Sequence, residues 1–447
     1  MFLLTTTYAL IGLACASHEP AAAPQEQDAV QRTLITNVQV WDGAADSRRA
    51  ADVLIEGNLI KAVGTGLASE GATVIDGQGK TLMPGLIDMH SHFAIQEGML
   101  TGRFDYDQMA MGARAGKDMR GYLDQGFTTA RDAGGNILGL AKAERNGLIE
   151  APRLFPAGGF LSQTGGHADT GGFNDGIHSV DSLEEHGFGY ICDSPAEVRK
   201  AARMNLRAGA TQIKIMAGGG VASEFDPLHM VQFTEEEMRT AVEVANDYGT
   251  YVMAHAYHDL SVNRCIDAGV KVIEHNFLVS EETIIRMKEN EVALSIQAVM
   301  SLVAFGDPES ITFFNTDQKQ KAARVNSGAR QMLGWAKKHD LIMVTGGDMF
   351  GPAYTGIQAN NITALVDLME WPNLLVLKTA TSNAGRVLAW SGDMNPYKDG
   401  PIGMVKEGYY ADVILVDGNP LEDIHMIDRE HVRWVMKDGT VYKDTLE

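Results

Sequence analysis

The sequence predicts an α/β fold: a (β/α)8 TIM barrel with a small β-sandwich domain formed by both chain ends. Three observations predict it. The middle of the chain alternates short apolar runs with amphipathic stretches. Both ends read instead as short strands separated by turn signals. Polar, chemistry-bearing residues then fall where successive middle strands stop. A chain of 447 residues suits one large barrel plus a small domain.

Taken in order, the chain begins with "FLLTTTYALIGLACAS", an apolar run followed by the polar, Ala/Pro-rich "HEPAAAPQEQDAVQ". Residues 1–31 therefore read as a signal or leader with its linker, with small residues for cleavage around Ala14, Cys15 and Ala16. The basic n-region is missing, because no Lys or Arg precedes Arg32. "GLAC" offers Cys15 as a lipoprotein acylation site, without the usual leucine three places before it. The expectation is export to the periplasm or the medium. If the segment is no signal, the chain is cytoplasmic. Cys192 and Cys265 remain beyond it and form no CxxC, so cysteine carries no chemistry here.

Residues 32–84 give "TLITNVQVWDG", "ADVLIEGNLIKAVG" and "ATVIDGQGKTLMPG", punctuated at Asp42-Gly43, Gly57-Asn58 and Asp76-Gly77. Residues 398–447 repeat the pattern with "YADVILVDGNP" and "VRWVMKDGTVYK". Together these ends form the expected sandwich.

Residues 85–397 form the expected barrel. Its strands are "GLIDMHSH", "FTTARDAG", "RLFPAGG", "TQIKIMAGG", "TYVMAHAY", "KVIEHNF", "VALSIQAV" and "LIMVTGGD". Among the intervening helices, "SPAEVRKAARMNLRAG" and "TEEEMRTAVEVANDYG" each open on a Ser or Thr cap with acidic first-turn residues and close on Gly. The segment from Phe160 to Asp193 is long for a loop and is expected to lid the site. A net charge of −21 argues against nucleic acid, whose phosphates would be repelled. No internal apolar run is long enough to span a bilayer.

In such a barrel the active site lies at the C-terminal strand ends. The first strand ends in His90 and His92, which share a face because strand side chains alternate. Two imidazoles aimed at one point suit a divalent cation such as Zn²⁺. Further strand ends bring His255, His275 and Asp348. Six polar residues in barrel order, Lys214 included, point to a metal centre. Lys214 lies between Ile213 and Ile215, where burial disfavours its charge and lowers its pKa. A neutral lysine amine can add CO₂ to give a carbamate able to bridge two metals; the alternative is an ordinary ion pair with Asp348 or Glu274.

The set "PGLIDMHSH", "IKIMAGGG", "HAY", "IEHN" and "GGD" resembles the amidohydrolase superfamily, and the fourth-strand lysine resembles its binuclear-metal branch. "IKIMAGGGVASEFDP", "QFTEEEM" and "AGVKVIEHNFLVSEET" resemble the Xaa-Pro dipeptidase, carboxypeptidase-like and N-acyl-amino-acid (ochratoxin-type) amidohydrolases. The resemblance implies that His90, His92 and Asp348 hold the more buried metal, and His255 and His275 the more exposed one. It implies two divalent cations, Zn²⁺ by default, bridged by a hydroxide and by Lys214 carboxylated with CO₂. Asp348 would shuttle the proton. His167, in "SQTGGHADTGG", would bind the substrate carbonyl, and Tyr257 its carbonyl or carboxylate. His178, His186 and His229 receive no role, and Arg131 and Asp132 in "RDAGG" read as structural. Gln297 and Met300 are expected to shape the pocket. Relatives often assemble, which leaves a homo-oligomer open.

The implied activity is hydrolysis of the amide bond of a dipeptide or N-acyl amino acid. A cyclic amide or lactone (imidazolonepropionase-like) is the alternative. A non-catalytic binding protein ranks below both, because no metal ligand is missing. Nucleobase deaminases fit less well, since they replace the bridging lysine and carry a Glu near the fifth-strand histidine, where this chain has "HAYHD". Other departures are "GGDMF", where many relatives carry a small polar residue before Asp348 and a glycine soon after it, and His258 at a position where glycine is common.

Overall fold

The structure, a computed structural model, describes residues 30–96, 107–176, 178–349 and 356–446. All but the last two residues of the expected leader lie outside it.

The first five strands are β1 (Arg32–Val40), β2 (Arg49–Glu56), β3 (Leu59–Gly64), β4 (Thr73–Asp76) and β5 (Thr81–Pro84). The middle contributes β6 (Leu86–Ser91), β7 (Phe127–Asp132), β8 (Arg153–Pro156), β9 (Phe160–Ser162), β10 (Gly189–Ile191), β11 (Ile213–Met216), β12 (Val252–His258), β13 (Val272–Leu278), β14 (Ala293–Ile296) and β15 (Met343–Thr345). The C-terminal end adds β16 (Val413–Val416), β17 (Val432–Lys437) and β18 (Thr440–Asp444).

Both chain ends share one eight-stranded sheet, in the order β18-β17-β16-β5-β1-β2-β3, with β4 beside β1. The join is β5. It runs parallel to β1 and antiparallel to β16, with Thr81 opposite Val416 and Pro84 opposite Val413. Ile35, Val40, Val53, Ile55, Leu82, Val413, Leu415 and Trp434 bury a common apolar cluster there.

The middle strands pair only in parallel. Seven lie in one sheet, β10-β9-β11-β12-β13-β14-β15, and three in another, β6-β7-β8. β6, β7, β8, β11, β14 and β15 are buried at every position. Burial at every position is what a parallel sheet covered on both faces requires, and the polar residues of β6 and β7 are buried with the rest. Hydrogen bonds bridge the two sheets at either side. The Thr211 N–H donates to Pro156 O at 2.8 Å, and the Asp348 N–H to His90 O at 2.7 Å. β9 and β10 were read from sequence as part of the loop after the third strand. At three residues each they are too short to show a period.

The helices follow their caps. Ser194 accepts from the Glu197 N–H, Pro195 opens helix Pro195–Ala208, and Gly209 closes it in the left-handed region. Thr234 and Glu237 form a reciprocal capping box on helix Glu235–Asp247. Each such helix returns the chain to start the next parallel strand, so the chemistry-bearing strand ends emerge on one side.

Candidate active site

The site is built first at the end of β6. The His90 and His92 rings stand 4.9 Å apart, edge to face. His90 Nδ1 donates to Glu274 Oε2 at 2.6 Å, and His92 Nδ1 donates to the Gly134 carbonyl at 3.0 Å. Each ring thus has its Nδ1 proton committed and its Nε2 lone pair free. The two Nε2 atoms lie 3.1 Å apart, and Asp348 Oδ1 sits 3.4 and 3.3 Å from them. Three electron-rich atoms converge there, and a cation is what satisfies such a set.

Asp348 reaches this point through an unusual turn. Its φ is 49°, a region uncommon for non-glycine residues and one that recurs at functional sites. A Cβ on Gly346 would lie 2.4 Å from His90 N and Cβ, so only glycine lets the end of β15 close against β6. Asp88 anchors the same contact from below, accepting from the His90 N–H at 2.9 Å and the Gly347 N–H at 3.0 Å.

The opposite wall is made of stacked rings. His275, also at positive φ (73°), places Nδ1 3.9 Å from Asp348 Oδ2. His255 meets His275 edge to face at 4.5 Å and stacks on His167 at 4.0 Å. Tyr257 lies parallel to His275 at 5.2 Å. His90, His275 and Asp348 each offer a ligand atom within 4.8 Å of the others.

Lys214 is buried to 1% exposure. The ion pair with Asp348 or Glu274 allowed by the sequence does not form. Glu274 instead bonds His90 and Arg131 Nη2 (2.5 Å), and Asp348 faces the histidines. Burial brings the Lys214 amine down to about 8, although Glu274 and Asp348 pull the other way. An amine near neutrality keeps a sizeable unprotonated fraction at pH 7–8, which is what carbamate formation needs.

The remaining shifts fit a ligand set. Burial, followed by the nearby charge of His167 and His275, holds the His255 imidazolium well below its ordinary range. Burial does the same for His275. Asp348 is held well below the usual carboxylate range: burial opposes this, but His90, His92 and His275 outweigh it. His90 moves up despite burial because Asp348 and Glu274 face it.

All eight sequence-predicted residues, His90, His92, His167, Lys214, His255, Tyr257, His275 and Asp348, line one cavity. The rest of its lining is largely apolar, with Phe160, Phe188, Phe305, Phe313, Phe314 and Met300. Phe160 and Phe188 come from the segment expected to act as a lid. Gln297 needs a correction. It is fully buried and does not line the cavity, but accepts from the His275 N–H at 3.2 Å and donates to Ser295 Oγ at 3.0 Å. It lies just past β14, and its side chain turns beneath the ligands, with Nε2 3.2 Å from His90 Nδ1.

Sequence reading missed the residues that hold the ligands. Glu274 and Asp88 were given no positioning role. Arg131, read as structural, bonds Glu274 and donates through Nε to Met89 O at 2.7 Å. The available signal was the acid beside the histidine in "IEH" and the buried "RD" pair on the neighbouring strand.

The amidohydrolase family profile matches residues 81–442. This chain belongs to the amidohydrolase family. It is 31% identical to ochratoxinase from Aspergillus niger over 379 residues, 81% of this chain and 75% of that protein. The A. niger ochratoxinase crystal structure superposes with a TM-score of 0.79 at 27% identity, covering 93% of this chain and 96% of that one. A prolidase complexed with N-methylphosphonate-L-proline matches at TM-score 0.85 and 31% identity, over 93% of this chain and all of that one. A Xaa-Pro dipeptidase with methionine in its active site matches at 0.81 and 29%, over 92% and 100%. The amidohydrolase is therefore an enzyme acting on C–N amide bonds.

Proposed function

We propose that this amidohydrolase cleaves the amide bond of a dipeptide or N-acyl amino acid at a site holding two divalent cations, zinc by default. The observation that carries this is the convergence of both Nε2 atoms of His90 and His92 with Asp348 Oδ1, within 3.4 Å. The donor set fits the metals: four imidazoles converging on one cavity, an ionised carboxylate and a lysine amine brought down to about 8. His90, His92 and Asp348 would hold the buried cation, His255 and His275 the exposed one, with carboxylated Lys214 shared. When bound, such a pair lowers the pKa of water towards ~7 and polarises a carbonyl.

The chain's own residues do the rest. Asp348, ionised, is positioned to accept a proton and return it to the leaving nitrogen. His167 and Tyr257 face the substrate carbonyl or carboxylate. The phenylalanine-rich lining favours an apolar side chain or acyl group. Ochratoxinase, a prolidase and a Xaa-Pro dipeptidase among the relatives support the same substrate class.

The two parallel sheets, bridged at both sides, are the walls of one (β/α)8 barrel spanning residues 85–397. The end-built sheet is the sandwich domain of residues 32–84 and 398–447. Residues 1–31 serve export, and the enzyme works in the periplasm or outside the cell.

A hydrolysis screen of the zinc-loaded protein tests the activity. It compares dipeptides and N-acyl amino acids with their C-terminal amides by released amine. Cleavage requiring the free carboxylate is expected. Absence of cleavage in both sets would overturn the substrate class and favour ring amides or lactones.

A further inference from the structure

The loop after β11, "GGGVASEFDP", holds a side-chain cluster that the chemistry above does not use. Asp226 is fully buried. Its Oδ2 accepts from the Gly220 N–H at 2.7 Å and from His167 Nδ1 at 3.0 Å, and Ser223 Oγ lies 2.7 Å from the same ring nitrogen. A Cβ on Gly220 would fall 1.9 Å from His167 Cε1, so only glycine leaves room for the ring. The His167 N–H in turn donates to Gln232 Oε1 at 3.0 Å. Helix Thr316–Lys338 clamps the loop from outside: Lys321 Nζ donates to Ser223 O and Asp226 O at 3.1 Å each, and Gln318 Nε2 to Ala222 O at 2.5 Å.

We propose that Asp226 is a positioning residue for His167, holding the ring against His255 with Nδ1 committed, so that Nε2 is the nitrogen offered to the substrate. This rests on the substrate role proposed for His167. A histidine that merely packs needs no carboxylate, and burying a carboxylate is costly unless it is paired. Here the paired group faces the cavity, and among the described residues none bonds its Nε2. The partner on the second nitrogen decides which tautomer and which ring orientation the cavity sees. The long helix thus reaches the site through Lys321, the loop, Asp226 and His167 in succession.

Two measurements test it. The first needs no substrate. In protein ¹⁵N-labelled in its imidazoles, His167 (assigned by the signal lost in His167→Ala) is expected to be protonated at Nδ1, and Asp226→Asn to change that pattern. An unchanged spectrum would overturn the proposal. The second uses N-acetyl-L-phenylalanine as probe, with zinc content measured in every variant. Asp226→Asn is expected to lower kcat roughly 10–100-fold, with KM within about threefold and zinc content unchanged. In a His167→Ala background the same change should alter kcat by less than about twofold. An equal loss in both backgrounds would show that Asp226 acts elsewhere. Wild-type kcat in His167→Ala would instead remove the substrate role of His167, and the proposal with it. If wild type leaves the probe intact, the amidase reading is in question and the imidazole spectrum decides the positioning alone. Ser223→Ala, which keeps the carboxylate, serves if Asp226→Asn does not fold: His167 is expected to stay protonated at Nδ1, and a move of the proton to Nε2 would assign the positioning to Ser223 and overturn the proposal.

Discussion

The two walls of the cavity are held by different physics. On the β6 side, His90 and His92 are wired by hydrogen bonds: His90 to Glu274, Glu274 to Arg131, and His92 to the Gly134 carbonyl. On the β12–β13 side, His255, His275, Tyr257 and His167 lie ring against ring. The first wall sets tautomer and direction before any ligand arrives. The second sets spacing by ring contact; His255 and His275 have fewer fixed partners on their ring nitrogens, and His167 alone is held by a carboxylate. A site built this way is expected to hold one cation tightly and the other more loosely.

Asp348 stands between the walls, within 4 Å of His90, His92 and His275. Asp348→Ala should erase the difference between them by disabling both, and kcat should fall about 10³–10⁴-fold in an amine-release assay. A variant keeping more than a tenth of the activity would remove Asp348 from the chemistry.

Glu274→Gln weakens only the wired wall. It keeps the shape but takes away the charge that faces His90 and Arg131. Affinity for the tighter metal should drop roughly 10–100-fold in competition with a chelator. The looser metal should be unaffected, and equal loss of both would contradict the comparison. Arg131→Met goes deeper, since it strands the buried Glu274 carboxylate. A destabilisation of about 3–5 kcal/mol is expected from denaturant unfolding of the metal-free protein.

The stacked wall should break more gently. Stepwise chelation of wild type is expected to release metal in two phases. His255→Ala should delete the faster phase and leave the slower one, read by metal content after dialysis. A single phase in wild type would mean the walls bind alike. Tyr257→Phe should have the smallest effect, a fall in kcat/KM of about fivefold from one lost hydrogen bond to substrate, checked by steady-state kinetics.

Much of this was legible in the sequence, for identifiable reasons. His90 and His92 share a face because strand geometry has a period of two, and that period is written in the residue order. Helix Pro195–Ala208 carries its own start and stop in Ser194, Pro195 and Gly209. Lys214 between two isoleucines announced its burial. β9 and β10 were not legible, because three residues do not establish a pattern. Gln297 was assigned to the pocket from its position after a strand, yet its side chain turned inward.

The sequence by itself determined which elements form and which side chains reach the strand ends, since local periodicity and caps depend on near neighbours. Only the tertiary structure decided which of those ends meet and what holds them. Glu274 lies 184 positions from His90, and Asp226 lies 59 from His167. No local period links residues so far apart. Their pairing follows from sheet order, from the burial that makes an unpaired charge costly, and from glycines at 346 and 220 that let one backbone approach another side chain.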